Sequence, residues 1–151
     1  MDSERINIDH KYHTLLELTQ SVESIINKTY TNSYWVKAEI AKLNFYPKSG
    51  HCYPDLVEKQ NGKVVAQMRA IIWAGPFNEM SSKFTKVTNE KIGDGMTVLL
   101  RCIVKFSPIY GLSLQVNDIE PSFTLGELVK EKQNSIDRLK KEGKFNKNKQ
   151  L

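Results

Sequence analysis

The sequence has too few cysteines for a disulfide framework. Only Cys52 and Cys102 are present among 151 residues, and they lie too far apart in sequence for a metal-binding knuckle. Apolar runs are also short: none approaches the roughly 18 residues of a membrane-spanning helix, and residues 1–13 lack the apolar segment of a signal peptide. We therefore expect two reduced thiols in a cytoplasmic protein without a membrane contact.

Recognisable catalytic constellations are missing as well. The sequence contains no Ser/His/Asp elbow, glycine-rich phosphate loop or paired carboxylates in a known motif. His10 and His13 are three residues apart, but no neighbouring cysteine, histidine or carboxylate cluster completes a metal site. The sequence predicts no catalytic residue, no metal site and no cofactor in this chain.

The net charge of +5 is unevenly distributed. Residues 1–33 contain 3 basic and 5 acidic side chains, residues 34–121 contain 11 and 8, and residues 122–151 contain 8 and 4. Nucleic-acid binding requires local positive potential, and the excess lies in the middle and the tail. An ordinary solvated lysine-rich surface explains the same distribution.

Periodicity divides the chain into the same three segments. Residues 1–33 form an N-terminal arm and an amphipathic helix, expected to dock through a stripe of Leu15, Leu18, Val22, Ile25 and Ile26. Residues 34–121 consist of short β-branched and aromatic runs between turns. Residues 122–151 show a second helical period that is predicted to end at Gly143 and continue as a linker.

The middle segment predicts five strands and one helix. Val36, Ala38 and Ile40 alternate with polar residues in strand one, and Asn61-Gly62 marks a hairpin between strands two and three. A helix is predicted over 74–87, followed by strands at 96–106 and 112–119. This order is that of the OB fold, a mainly β, five-stranded barrel with a helix between strands three and four. Here an N-terminal and a C-terminal helix flank the barrel.

Five motifs occur in the order and spacing of a known bacterial family. They are Trp35-Val36-Lys37-Ala38-Glu39-Ile40, Ser49-Gly50-His51-Cys52-Tyr53, Asp94-Gly95-Met96, Pro108-Ile109-Tyr110-Gly111 with Gln115, and Leu139-Lys140-Lys141-Glu142-Gly143-Lys144-Phe145. Over roughly residues 14–150 the chain resembles the large subunit of exodeoxyribonuclease VII.

This resemblance implies an N-terminal OB-fold domain that binds single-stranded DNA and presents it to a C-terminal metal-dependent nuclease domain. That nuclease domain is absent from these 151 residues. The chain would therefore be a piece of a longer exonuclease and not an enzyme alone. Magnesium is a possible cofactor of the parent enzyme, and its small subunit would attach through the absent part. Pro54-Asp55 departs from the family pattern and predicts that strand two is bulged or lies at an edge there.

Single-strand binding combines cations for phosphates with aromatic faces for bases. The candidates for phosphate contacts are Lys37, Lys48, Arg69 and Lys105. The candidates for stacking are Trp35, Tyr46, Tyr53 and Trp73, with His51 and Tyr110 as further loop contacts. Tryptophans that cover the core and solvated lysines on an open sheet are the alternative interpretation. Gly50 and Gly111 are expected either at turns with positive φ or at a close backbone approach.

A second hypothesis assigns the chain a different role. The modest charge of the middle segment and the amphipathic helices at both ends are consistent with a protein-interaction or inter-domain docking module with little DNA affinity. Charge reversal at Lys37 and Arg69 would distinguish this role from DNA binding.

Overall fold

The computed structural model describes residues 9–150, with side chains described for 9–134 and 136. The elements in chain order are α1 (Leu15–Thr29), β1 (Ser33–Lys42), β2 (Asp55–Gln60), β3 (Lys63–Ile71), α2 (Ala74–Thr88), β4 (Thr97–Ser107), β5 (Gly111–Ile119) and α3 (Pro121–Gln150). The predicted order of strands and helices is confirmed.

The five strands close into a barrel in the order β1-β2-β3-β5-β4. All neighbours are antiparallel except β3 and β5, which run parallel. Strand β1 pairs with two neighbouring strands, and Glu39 is paired with both Val57 of β2 and Thr97 of β4. A register shift between Ile40 and Lys42 bends β1 where it leaves β4 and joins β2. The OB fold predicted from strand order is therefore present.

The core lies inside the barrel and is closed by α2. On β1, the apolar parity predicted from the sequence is confirmed, since Ala38 and Ile40 are buried and Val36 is half-buried. From α2, Met80 and Phe84 pack against the same core cluster. This helix therefore contributes to the stability of the barrel, and its packing also fixes the position of residues 72–73, which connect β3 to α2.

Both cysteines are free and buried in this core, as expected for reduced thiols. Desolvation raises the pKa of Cys52 to about 11 and that of Cys102 to about 12. Neither thiol is therefore a nucleophile near neutral pH in the folded protein.

The predicted hairpin turn between β2 and β3 is confirmed by its backbone. Asn61 and Gly62 both have positive φ, at 53° and 77°, as a two-residue turn of the type I′ kind requires. Strand β2 begins at Asp55, directly after Pro54, and lies between β1 and β3 in the closed barrel, so Pro54-Asp55 marks the start of the strand and not the expected bulge or edge. Proline has no amide to donate, so the regular β2 ladder starts after it.

The two outer helices differ from their predictions. Helix α1 forms with a capping box between Thr14 and Glu17, but none of its residues is buried. It lies against β4, and of its predicted stripe only Val22 and Ile26 are half-buried. Helix α3 continues past Gly143, where the sequence predicted its end. A single glycine costs only about 1 kcal/mol in a helix, and no proline follows to stop it. None of the described helices is long and apolar enough to cross a membrane.

Candidate nucleic-acid interface

The β1–β2 connection, residues 43–54, is held against the end of β3. Cys52 forms isolated bridges with Phe45 on one side and Ile72 on the other. The amide of Cys52 donates to the Ile72 carbonyl at 2.9 Å, and the amide of Ile72 donates back at 2.8 Å. These paired bonds bring the loop beside Trp73, which directly precedes α2.

Four of the predicted site residues meet here, and we call Tyr46, His51, Tyr53 and Trp73 the aromatic cluster. The rings of Tyr46 and Tyr53 are 5.3 Å apart at an interplanar angle of 76°, and those of His51 and Trp73 are 5.0 Å apart at 83°. The amide of Tyr46 donates to the His51 carbonyl, which joins the two pairs. An edge-to-face contact leaves at least one face of each ring free of its partner, and Tyr46 and Trp73 are also exposed, so these two rings can offer faces to bases.

His51 has a positioning role within this cluster. Its Nδ1 accepts a hydrogen bond of 2.9 Å from the amide of Ala74, the first residue of α2. The Trp73 side chain makes no capping bond there, so His51 satisfies an amide that the helix itself leaves free. The imidazole therefore connects the β1–β2 connection to α2.

Arg69 is fixed beside the cluster by a carboxylate on the neighbouring strand. Its Nε donates to Asp55 Oδ1 at 3.3 Å, and Asp55 Oδ2 accepts from Asn44 Nδ2 at 3.1 Å. The Arg69 side chain is nevertheless 70% exposed. Its guanidinium is thus oriented by Asp55 and still open to a phosphate, although the carboxylate offsets part of its charge.

Strand pairing places Lys105 on the same outer face as Arg69. Ala70 pairs with Leu114 across the parallel β3–β5 ladder, so Arg69, one residue earlier, lies beside Ser113. Ser113 pairs with Lys105 across β5–β4. Two strand spacings put the backbones of Arg69 and Lys105 roughly 10 Å apart. We call Arg69, Ser113 and Lys105 the basic row.

Two more predicted residues lie on exposed turns. Lys48 is exposed within the β1–β2 connection, close in sequence to Tyr46 and His51. Tyr110 lies at the tip of the β4–β5 hairpin, beyond the end of β4 that carries Lys105. The aromatic cluster, the basic row, Lys48 and Tyr110 together form what we call the candidate face.

Trp35 and Lys37 are not brought into this face. Lys37 Nζ lies 5.9 Å from the ring centroid of Phe123 in α3. It lines a groove of about 380 Å³ with Lys59, which pairs with Glu39 at 3.1 Å, and with the carboxylates of Glu58 and Glu127. The surroundings of Lys37 therefore attract phosphate less than those of Lys105.

Trp35 pairs across β1–β4 with Arg101, which in turn pairs with Asp118 of β5. Asp118 also accepts a hydrogen bond of 2.8 Å from Lys83. Burial raises the pKa of Asp118, but hydrogen bonds from Lys83 and the Ile119 amide and the charges of Lys83 and Arg101 bring it below its usual value. The ionised carboxylate offsets cations beside Trp35, so this row is mixed in charge.

Sequence reasoning missed the residues that organise the face. Asn44 holds the loop to Asp55 and takes a positive φ of 54°, and Asp55 orients Arg69. Ser113 occupies the outward position of β5 between Arg69 and Lys105, and Gln115, two residues on, lies between Ile71 and Ile103. Their alternation with Leu112, Leu114 and Val116 was a usable signal, whereas nothing local to Asn44 indicated its partners.

Gly50 provides a test of how the β1–β2 connection is built. It has φ +78°, and an added Cβ would lie 3.1 Å from Ala74 Cβ, whereas Gly111 has φ +77° with nothing within 4 Å. We expect Gly50→Ala to destabilise the fold more than Gly111→Ala. In both variants the positive φ should cost about 1–2 kcal/mol, but only at position 50 would the new Cβ also contact Ala74 of α2. Urea unfolding of the two variants gives the comparison. Equal losses of unfolding free energy in the two variants would show that a side chain at position 50 does not clash with Ala74.

Within the described side chains, no group of three or more histidine, cysteine, aspartate or glutamate residues is placed to hold a metal ion. The described part of the candidate face consists instead of aromatic rings, cations and polar side chains.

Comparison with known proteins agrees with this geometry. A family model described as an OB-fold nucleic acid binding domain matches residues 13–120, which include all five strands and the whole candidate face. The chain belongs to this family. Nucleic-acid binding is thus the function of the domain class.

The resemblance to exodeoxyribonuclease VII is also confirmed. The OB-fold domain is 34% identical over 131 residues to the exodeoxyribonuclease 7 large subunit of Deinococcus radiodurans. The match covers 83% of this chain but only 31% of that relative. The chain thus spans about a third of the length of the relative.

One similar solved structure is a small single-stranded DNA binding protein from Mycoplasma pneumoniae. The likeness covers 59% of this chain and 91% of that one, with a TM-score of 0.41 and 14% sequence identity. At that distance, no residue of the OB-fold domain can be assigned a role from it.

Proposed function

We propose that this OB-fold domain binds single-stranded DNA along the candidate face. The observation that supports the proposal is the contact of four predicted residues in the aromatic cluster, together with the strand pairing that puts Arg69 and Lys105 on the basic row. Stacking on the aromatic cluster is sequence-tolerant because every base has a π-face, and the cations follow the backbone. The similarity to a DNA-degrading relative supports DNA as the ligand.

Salt dependence tests the electrostatic part of this proposal. If Lys48, Arg69 and Lys105 each neutralise one phosphate, the affinity for a single strand should fall about 20-fold between 50 and 200 mM salt, with a logarithmic slope of about −2. The measurement is fluorescence anisotropy of a labelled oligothymidylate titrated with the domain at several salt concentrations. Absence of saturable binding at the lowest salt would rule the proposal out.

Single substitutions locate the contacts. Lys105→Ala should reduce the slope by about 0.7, which is the contribution of one phosphate on a single strand. Lys86→Ala is the matched control, since Lys86 is exposed on α2 outside the candidate face. Lys37→Ala should also resemble wild type, because Lys37 lies in the acidic groove beside α3. A slope that changes equally in all three variants would contradict the assigned face.

In a protein with the organisation of the Deinococcus relative, we propose that the domain presents single-stranded DNA to a separate metal-dependent nuclease part. Magnesium and the small subunit belong to that part in our proposal, and the cytoplasm is the proposed compartment. In this proposal the cleavage chemistry takes place outside the OB-fold domain.

A second candidate function, docking to another protein or domain, is favoured by one observation. Helix α1 exposes more than half of each of Leu15, Leu18 and Ile25. These side chains lie on an element outside the candidate face, so DNA binding and docking through α1 are compatible. A folded domain that shows no saturable binding of a single strand at low salt would favour docking over the first proposal.

A further inference from the structure

The tip of the β4–β5 hairpin exposes two large apolar side chains next to each other. Ile109 is 82% exposed and Tyr110 is 85% exposed. Among the described residues of the chain these are two of the least covered large hydrophobics, and they follow Pro108 directly in sequence. Isoleucine offers neither charge nor a hydrogen bond, so solvation does not explain its position.

The tip is held in shape before any ligand arrives. Ser107 Oγ accepts hydrogen bonds from the amides of Ile109 at 3.2 Å and Tyr110 at 3.4 Å. Gly111 closes the turn with φ +77° and pairs with Ser107 across the hairpin. Both apolar side chains are therefore presented by a bonded turn, which reduces the entropy lost when they insert into a partner.

The position of the tip indicates what it contacts. It continues the strand that carries Lys105, whose neighbours across β5 are Ser113 and Arg69 of the basic row. A nucleic-acid backbone on that row would pass beside the tip. Apolar side chains inserted between successive bases unstack them, and Ile is among the residues that act in this way.

We propose that Ile109 and Tyr110 form a wedge that inserts between two bases of the bound strand, with Tyr110 stacking on one base and Ile109 separating the next. This deepens the proposed function and rests on it. The wedge gives the domain a further activity: it disrupts base stacking in the strand it holds and so delivers an extended, unstacked chain. A protein partner at the same tip is the alternative, and the experiment below distinguishes the two.

The test uses oligodeoxyadenylate, whose bases stack strongly, with a single 2-aminopurine at its centre. Stacking quenches 2-aminopurine, and an aliphatic neighbour does not. With binding saturated, as verified by anisotropy of the same strand, the wild-type domain should raise the fluorescence of strands in which the reporter lies beside Ile109, and Ile109→Ser at saturation should reduce this rise. Ile25→Ser is the matched control, since Ile25 is 61% exposed on α1, and it should keep the wild-type rise.

The possible failures are distinguishable. If oligothymidylate and the reporter strand both fail to bind, the proposed function is wrong and the wedge with it. If the wild type saturates without a rise, or Ile109→Ser gives the wild-type rise, DNA binding stands and the wedge is overturned. The tip would then be assigned to a protein contact.

Discussion

Tyr46→Ala is expected to weaken binding of oligothymidylate by about 5- to 150-fold, because each base stacked on an aromatic side chain contributes roughly 1–3 kcal/mol. Tyr46 is 55% exposed and meets Tyr53 edge to face, so its ring can take a base without displacing its partner. The loss should appear at low and high salt alike, since stacking displaces no counterions. Anisotropy titration at two salt concentrations measures both properties.

Tyr12→Ala is the control for this substitution. Tyr12 is 68% exposed and precedes α1, outside the candidate face. It should leave the affinity unchanged. Full affinity in Tyr46→Ala, with a thermal unfolding midpoint equal to wild type, would remove the aromatic cluster from the interface.

Phe84→Ala is expected to lower the free energy of unfolding by about 3–5 kcal/mol, as is usual when a buried phenylalanine is truncated to leave a cavity. Phe84 is fully buried where α2 closes the barrel. Urea unfolding followed by tryptophan fluorescence gives the free energy. Helix α2 also holds His51 through the Ala74 amide. The DNA affinity of Phe84→Ala should therefore fall at urea concentrations close to the unfolding midpoint of this variant.

Val87→Ala on the same helix is the comparison for Phe84. Val87 is exposed, and its truncation should change the stability by less than about 0.5 kcal/mol. A small loss in Phe84→Ala would mean that α2 is not part of the cooperative core, and the barrel would then have to be stable without its helical closure.

Local patterns were sufficient for most elements of this fold. The helix predicted over 74–87 is α2 at Ala74–Thr88, and Asn61-Gly62 forms the predicted turn. These succeeded because periodicity and positive φ are properties of neighbouring residues. The predicted end of α3 at Gly143 was wrong, because a single glycine does not stop a helix unless another residue near it also does.

The docking of α1 shows that a hydrophobic stripe does not predict which of its side chains are buried. The stripe of Leu15, Leu18 and Ile25 was correctly assigned to a helix, yet these side chains remain exposed. A hydrophobic stripe specifies that one side of a helix is apolar, but only the neighbouring elements determine whether anything covers it. In this chain, α1 contacts β4, and only Val22 and Ile26 of the predicted stripe are half-buried.

The candidate face depended on contacts between residues distant in sequence. The sequence alone determined the types of residue available, the alternation that turns Arg69 and Lys105 outward, and the order of strands that is typical of an OB fold. Only the tertiary structure decided that Arg69 and Lys105 share a row while Lys37 lies among carboxylates beside α3, because that separation follows from the parallel pairing of β3 with β5 and the packing of α3. The pairing of strands that are not neighbours in sequence and the closure of the barrel join residues far apart in the chain, so a local pattern does not reveal them.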